Sequence, residues 1–288
     1  MKPDNLKTRI FLDGGNPLDT REAVRLLGFL DGQTTNPTLI AKNPAARARL
    51  EKGGKFAKKE IFDFYQGVVK EISTLIPHGS VSVEVYADAA TKATDMLAQG
   101  KEMFAWIPNA HIKFPTTGEG LQAAGQAVGQ GLRVNMTLCF TQNQAAAVYA
   151  ATEGATKGAV FVSPFIGRLD DGGECGMDLI ANIIRMFRQS DGHVEVLTAS
   201  VRNLDHFFYA LKLGSDIITA PFEVLREWAG RGLPLPGAEY TYSRGGLKAI
   251  EYQNIDLGKN WRDYDIRHDL IDKGIERFSA DWNSLIEA

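Results

Sequence analysis

Short β-rich runs, several of them alternating apolar and polar residues, recur along the chain between longer stretches with apolar positions three or four apart. The first pattern puts successive side chains on opposite faces of a strand, and the second gathers them on one face of a helix. Strands are predicted for RIFLD (9–13), GQTTN (32–36), SVSVEVY (80–86), AHIKF (110–114), RVNMTL (133–138), AVFVS (159–163), VEVLTAS (194–200) and DIITA (216–220). Between them TREAVRLLGFL, KFAKKEIFDFYQGVVKEISTLI, AATKATDMLAQG, GEGLQAAGQAVGQ, TQNQAAAVYAATEG, GMDLIANIIRMFRQS and NLDHFFYALKLG are predicted helices. Eight strands alternating with helices imply repeated βα units and a parallel sheet. An open doubly wound sheet shares this rhythm, but no GxGxxG follows the first run, so the expected fold is α/β, a single (β/α)8 TIM barrel.

The 288 residues suit one barrel domain, and no Pro-, Gly- or Ser-rich linker divides them. Residues 231–265 change character, with RGLPLPGAEYTYSRGG and a polar stretch, before a last helical run, IRHDLIDKGIERFSADWNSLIEA. Residues 231–288 are therefore expected to form a C-terminal extension with a helical tail, lying across a barrel face or a subunit contact. The lysine-rich EKGGKFAKKE reads as a solvated helix face.

Parity sorts the strands into interior and exterior. Val81, Val83 and Val85 share one face, so Glu84 points inward; Ile112 and Phe114 face out, leaving His111 and Lys113 inside. By the same rule Val134, Met136 and Leu138 face out and Asn135 and Thr137 in, while Asp13 and Ser163 join the interior of their strands. Five strands thus aim polar groups inward near their C-terminal ends, where barrel active sites form. An ordinary barrel interior is apolar, and unpaired polar groups there cost a few kcal/mol each. Simpler roles remain open: Asp13 and Glu84 as salt-bridge partners of Lys113, Ser163 as a cap, and His111 as a satisfied interior histidine.

Lys113 is the one ammonium of its apolar run, which ends at Pro115 in HIKFPTTGEG. A free lysine has a pKa of about 10.4, so about one in a few thousand is the neutral amine at pH 7, and desolvation raises that fraction. The residue reads as a Schiff-base lysine, or as a strand-end lysine whose head reaches solvent or a carboxylate. With a neutral amine, two carboxylates and amide and hydroxyl groups, the set suits imine chemistry on a ketose. Lys113 would attack the ketone, Asp13 would take the proton of the fourth-carbon hydroxyl, and Glu84 would serve carbinolamine dehydration through a water. Asn135 and Thr137 would orient hydroxyls or that water. In SPFIGRLDD and TASVRN, Arg168 and Arg202 offer bidentate contacts to a phosphate and Ser200 adds a hydroxyl, although loop arginines are commonly solvated or paired to acids such as Asp170.

The balance of 32 Lys plus Arg against 35 Asp plus Glu, net −3, offers no basic field for nucleic acid or an anionic membrane. Cys139 and Cys175 form no disulfide framework or zinc-ligand spacing, the N-terminus MKPDNLKTRIFLDGG has no signal-peptide core, and no stretch approaches a membrane span. The expected setting is the cytoplasm.

FLDG around Asp13, TTNPTLI from Thr34 to Ile40, VEV around Glu84, IKFPTTGEGL around Lys113, NMTLCF from Asn135, SPFIGR from Ser163 and ASVRN from Ala199 resemble transaldolase-family motifs, in family order. The resemblance implies a (β/α)8 barrel in which Lys113 forms the imine, Asp13 is the acid/base, and Glu84 and Thr137 handle the catalytic water. It implies active-site roles for Asn36 and Asn135, and substrate and phosphate contacts for Ser163, Ser200, Arg168 and Arg202. No metal or organic cofactor is implied. Family members that act as fructose-6-phosphate aldolases tend to carry Gln in place of Glu84 and Tyr in place of Phe165, so this chain resembles the transferring branch. The implied reaction, of pentose phosphate pathway type, moves a dihydroxyacetone unit from a ketose phosphate to an aldose phosphate; the alternatives are a lyase with the same imine, a variant sugar, or a barrel that only binds sugar phosphates. The expected partners are sugar phosphates and further copies of the chain in a homo-oligomer. GLPLPGAEYTYSRGGLKAIEYQNIDL departs from the family pattern, whereas GIERFSADWNSL resembles its C-terminal helix.

Overall fold

Each predicted run forms a strand: β1 (Arg9–Asp13), β2 (Gly32–Thr34), β3 (Ser80–Glu84), β4 (Ala110–Pro115), β5 (Val134–Cys139), β6 (Val160–Pro164), β7 (Val194–Thr198) and β8 (Ile217–Ala220). The computed structural model describes residues 2–287 and closes these strands, all parallel and in chain order, into an eight-stranded barrel with β8 against β1. Around it run α1 (Pro17–Leu27), α2 (Pro37–Ala41), α3 (Pro44–Glu51), α4 (Lys58–Leu75), α5 (Ala93–Phe104), α6 (Gly118–Val128), α7 (Gln142–Ala151), α8 (Ile166–Asp171), α9 (Gly176–Phe187), α10 (Leu204–Leu213), α11 (Phe222–Gly230) and α12 (Asp269–Asn283). The expected (β/α)8 barrel is therefore the observed fold.

Parity explains the core. The outward residues Ile10, Leu12, Val81, Val83, Ile112, Phe114, Val134, Met136, Val160 and Val162 join the helices in one large apolar layer. Inside, a separate small cluster of Phe11, Phe161, Leu197, Ala199 and Ile217 plugs the barrel. His111 stacks on Phe161 at 4.1 Å, and its ring nitrogens meet Ser80 Oγ at 2.8 Å and the Gly158 carbonyl at 2.9 Å. Burial pushes its pKa down to about 3, so it is a neutral, satisfied interior histidine.

Several ends differ from the sequence expectation because sheet pairing, rather than residue type, sets where a strand stops. β2 and β3 stop at Thr34 and Glu84, short of Asn36 and Tyr86, and Asn36 turns to cap α2, accepting the Leu39 N–H at 2.9 Å. Leu138, read as helix-facing, sits at φ 60 within an irregularity of the β5–β6 pairing. That kink turns its side chain beneath Gly274 of α12, where an added Cβ would lie 2.7 Å from Leu138 Cδ2.

Residues 231–268 run as a strap over the outside of the barrel. Gln142, Gln144, Asp178 and Asn182 are buried polar residues of α7 and α9, which would be costly without partners. The strap supplies them. Gln142 exchanges two bonds with the Gln253 backbone at 2.8 and 3.1 Å, Gln144 donates to the Ile266 carbonyl at 2.9 Å, and Asn182 donates to the Ile250 carbonyl at 2.8 Å. Asp178 accepts from the Arg244 guanidinium at 2.9 Å and from the Ile250 N–H. The strap delivers α12 to the C-terminal face of the barrel, where Ile271, Phe278 and Trp282 are buried and Asp281 accepts a hydrogen bond from Thr38 of α2.

Candidate active site

At the C-terminal face, β1, β2, β4, β6 and β8, the loops after β6 and β7, and the helices α2, α8 and α12 enclose a cavity of about 150 Å³. Eight of the residues expected from the sequence line it: Asp13, Asn36, Lys113, Ser163, Phe165, Arg168, Ser200 and Arg202. Glu84, Asn135 and Thr137 are buried in the barrel wall and do not line this cavity. Glu84 instead borders a small neighbouring cavity beneath α12 with Leu138, Ile275 and Phe278.

Lys113 and Glu84 pair at 2.7 Å between Nζ and Oε2, and their side chains are only 4% and 5% exposed. The contact is an ion pair, and Glu84 Oε2 has no further hydrogen-bond partner among the described residues. Lys113 Nζ also donates to the Thr35 carbonyl at 3.0 Å. Tyr65 of α4 ties both of these partners together. Its hydroxyl oxygen accepts the Glu84 N–H at 2.9 Å and lies 2.6 Å from Thr35 Oγ1, while Thr35 Oγ1 donates to the Ser82 carbonyl at 2.7 Å. Since the threonine proton is committed to Ser82, the tyrosine proton points to Thr35. Tyr65 falls on the apolar stripe of its helix, and its hydroxyl gives no sign in the sequence that it braces the lysine.

Burial dominates the carboxylates. It raises the Glu84 pKa, with the attraction of Lys113 opposing it. Asp13 opens onto the cavity, yet the surrounding barrel desolvates its carboxyl enough to raise its pKa against the pull of Lys113 and the hydrogen bond from Thr34. That bond is 2.8 Å long, and Thr34 Oγ1 also meets Thr219 Oγ1 at 2.6 Å. Two carboxylates disposed to hold a proton thus flank one amine, an arrangement suited to acid–base work. Deeper in, Ser163 donates to Asn135 Oδ1 at 2.6 Å and Asn135 donates to Ser82 Oγ at 3.0 Å. Thr137 Oγ1 is buried without a hydrogen-bond partner among the described residues.

The opposite wall is cationic. Arg202 pairs with Asp171 at 2.8 Å, while Asp170 is engaged by His206 at 3.0 Å and by the Gly176 N–H at 2.9 Å. Arg168 is half-buried with no carboxylate within ion-pair reach among the described residues. Ser200 is held at φ 60, a region L-residues seldom occupy, and its carbonyl accepts the Gly167 N–H at 3.1 Å. Gly167 is needed there, because a Cβ would lie 2.2 Å from Arg202 Nε and 2.5 Å from the Ser200 carbonyl oxygen. Gly167→Ala is expected to cost about 1–3 kcal/mol of stability and to weaken binding of inorganic phosphate, measured by thermal melts and calorimetry. Unchanged phosphate affinity would show that this backbone approach does not set the Arg202 position.

Sequence reasoning missed Thr34, Lys42 and Thr219, along with Arg277 and Phe278 of α12, all of which line the cavity. The threonines carried a weak signal, as polar residues at the ends of β2 and β8. The residues of α12 fall in GIERFSADWNSL, which resembles the family's C-terminal helix, but nothing local says where that helix docks.

A family model described as Transaldolase/Fructose-6-phosphate aldolase matches residues 10–288, a range that includes the strap. The chain is 35% identical over 277 residues to a protein named "Probable transaldolase" from Dehalococcoides mccartyi, covering 96% of this chain and 99% of that one. It is 38% identical over 276 residues to a "Probable transaldolase" from Caulobacter sp. (strain K31), covering 95% and 96%. Among the described residues no helix is long and apolar enough to cross a membrane.

Proposed function

The chain belongs to the transaldolase/fructose-6-phosphate aldolase family, and on that premise we propose that it transfers a dihydroxyacetone unit from a ketose phosphate to an aldose phosphate through an imine on Lys113. The observation that carries the reading is the buried Lys113–Glu84 pair at 2.7 Å beside a cavity that Asp13 also lines. Lys113 Nζ, once neutral, attacks the ketone carbon of a donor such as fructose 6-phosphate or sedoheptulose 7-phosphate. Glu84, behind the cavity wall, takes and returns through a relay water the protons needed to expel the carbinolamine hydroxyl, and its burial-raised pKa suits a group that must do both. Thr137, with its unpartnered hydroxyl, holds that water.

Asp13 then takes the proton of the fourth-carbon hydroxyl. The bond between the third and fourth carbons breaks, its electron pair moves into the protonated imine, and the aldose phosphate leaves. In the second half the enamine carbon attacks the acceptor aldehyde, whose oxygen takes the proton back from Asp13. Water returns to the imine carbon and frees Lys113. Asn36, Ser163 and Ser200 hold the sugar hydroxyls, Asn135 positions Ser163 from behind the cavity wall, and Arg168 and Arg202 hold the phosphate. Enclosure of Lys113 between the barrel and α12 limits access of water to the enamine stage, which favours transfer over release.

Borohydride reduction with fructose 6-phosphate, followed by peptide mass mapping, tests the imine. An adduct confined to Lys113 is expected, and none, or one elsewhere, would sink the mechanism. The lyase reading is separated by a coupled assay: release of free dihydroxyacetone as fast as donor cleavage, independent of acceptor, would replace transfer with simple cleavage.

A further inference from the structure

We propose that Arg277, on the C-terminal helix α12, is a third phosphate-reading guanidinium that completes the cradle begun by Arg168 and Arg202 and selects substrates ending in a dianionic phosphomonoester. The inference rests on the proposed reading of the cavity as a sugar-phosphate site. Arg277 lines the same cavity as Arg168 and Arg202, although it lies 109 and 75 positions further along the chain (277 − 168 and 277 − 202).

Its nearest carboxylate is a loose one. Arg277 Nε is 3.8 Å from Asp281 Oδ2, and that same oxygen accepts the hydroxyl proton of Thr38. A solvated i,i+4 pair of this kind contributes little and leaves the guanidinium fork free. Among the described residues Arg168 has no ion pair, and of the three only Arg202 has a close one, with Asp171. Like charges are thus gathered with too few counter-charges. Burial first, then the fields of Arg277 and Arg202, hold the Arg168 pKa below its ordinary value, and the opposing fields of Asp171 and Asp281 are smaller. A cluster that repels itself is relieved when a dianion enters, and three planar forks match the three terminal oxygens of a phosphomonoester.

The placement of Arg277 is rigid where it matters. Phe278, the next residue, is buried and lines both the main cavity and the small one beside Glu84. One turn earlier, Gly274 lets α12 lie directly on Leu138. Thr38 holds the helix from the other side through Asp281. Arg277 is therefore presented over the mouth by a helix fixed at two points, while its own side chain stays 51% exposed and open to substitution without loss of packing.

The test is calorimetric titration of the full chain at low salt with inorganic phosphate, for wild type, Arg277→Lys and Arg277→Gln, with melting temperatures as the folding control. Arg277→Gln is expected to weaken phosphate binding about 10- to 100-fold at pH 8, with Arg277→Lys between, as for loss of a charge-assisted bidentate contact. The deficit should shrink at pH 5, where phosphate is a monoanion, and the kcat/KM ratio of fructose 6-phosphate to fructose should fall by a similar factor. A helix-packing role would move the melting temperature and not this pH dependence. Unchanged phosphate affinity in Arg277→Gln, or a loss as large with fructose as with fructose 6-phosphate, would overturn the proposal. If phosphate binding follows the expected pattern while no imine can be trapped, the cradle stands and the proposed reaction falls.

Discussion

Replacing Lys113 with methionine is expected to abolish covalent trapping of fructose 6-phosphate and to reduce turnover by roughly 10⁴-fold or more, since methionine keeps the volume and removes the proposed nucleophile. The same change should cost stability in a pH-dependent way. Lys113 and Glu84 form a buried pair at 2.7 Å, and removing one partner of such a pair costs about 3–5 kcal/mol when the other stays charged. Glu84 has an escape, because burial already raises its pKa and losing the attraction of Lys113 raises it further. The folded variant then binds a proton that the unfolded chain, with a glutamate pKa of about 4.3, has released. Stability is accordingly retained below that value and lost as pH rises through the elevated folded value. Melting temperatures of wild type and Lys113→Met should converge in acid and separate toward neutrality, and adding Glu84→Gln to the variant should restore stability without activity. Turnover persisting in Lys113→Met, or melting curves equally far apart at every pH, would count against both the chemistry and the pairing.

Asp13→Asn should separate imine formation from carbon–carbon cleavage. Asparagine keeps the acceptor that Thr34 uses at 2.8 Å but cannot take a proton, so kcat is expected to fall about 10²- to 10⁴-fold while borohydride still traps the donor on Lys113. The fold should gain from the same change. Burial raises the Asp13 pKa, so above the unfolded value of about 3.9 the wild type must either hold a proton or desolvate a charge, and stability drops as pH rises through the folded value. A neutral amide at this position avoids that loss, so Asp13→Asn should melt above wild type at neutral pH and with it below about pH 4, the pattern expected if the proposed site trades stability for function. Loss of trapping along with turnover would assign Asp13 to imine formation instead.

The difference between what was legible in the chain and what was not follows from the range of each signal. The parity that put Lys113, Glu84 and Asp13 on the interior side is decided by nearest neighbours, and all three are at or near the C-terminal ends of their strands in the barrel. The short helices α2, α3, α8 and α11 escaped notice because five to nine residues hold too few turns for a clear periodicity, and α2 and α8 are shaped by a cap and a close glycine contact. The glutamines of α7 carry no local sign of burial, because the strap that covers them lies more than 100 positions further along the chain.

By itself the sequence determined the strand order, the inward-facing polar residues and the family, because alternation and motifs are written in contiguous residues. Only the tertiary structure decided that Tyr65 braces both partners of Lys113, that Glu84 and Thr137 stand behind the cavity wall, and that α12 brings Arg277 and Phe278 to its mouth. Those are contacts between residues tens to hundreds of positions apart. Their existence depends on barrel closure and on where the strap lays the last helix, and neither leaves a periodic trace along the chain.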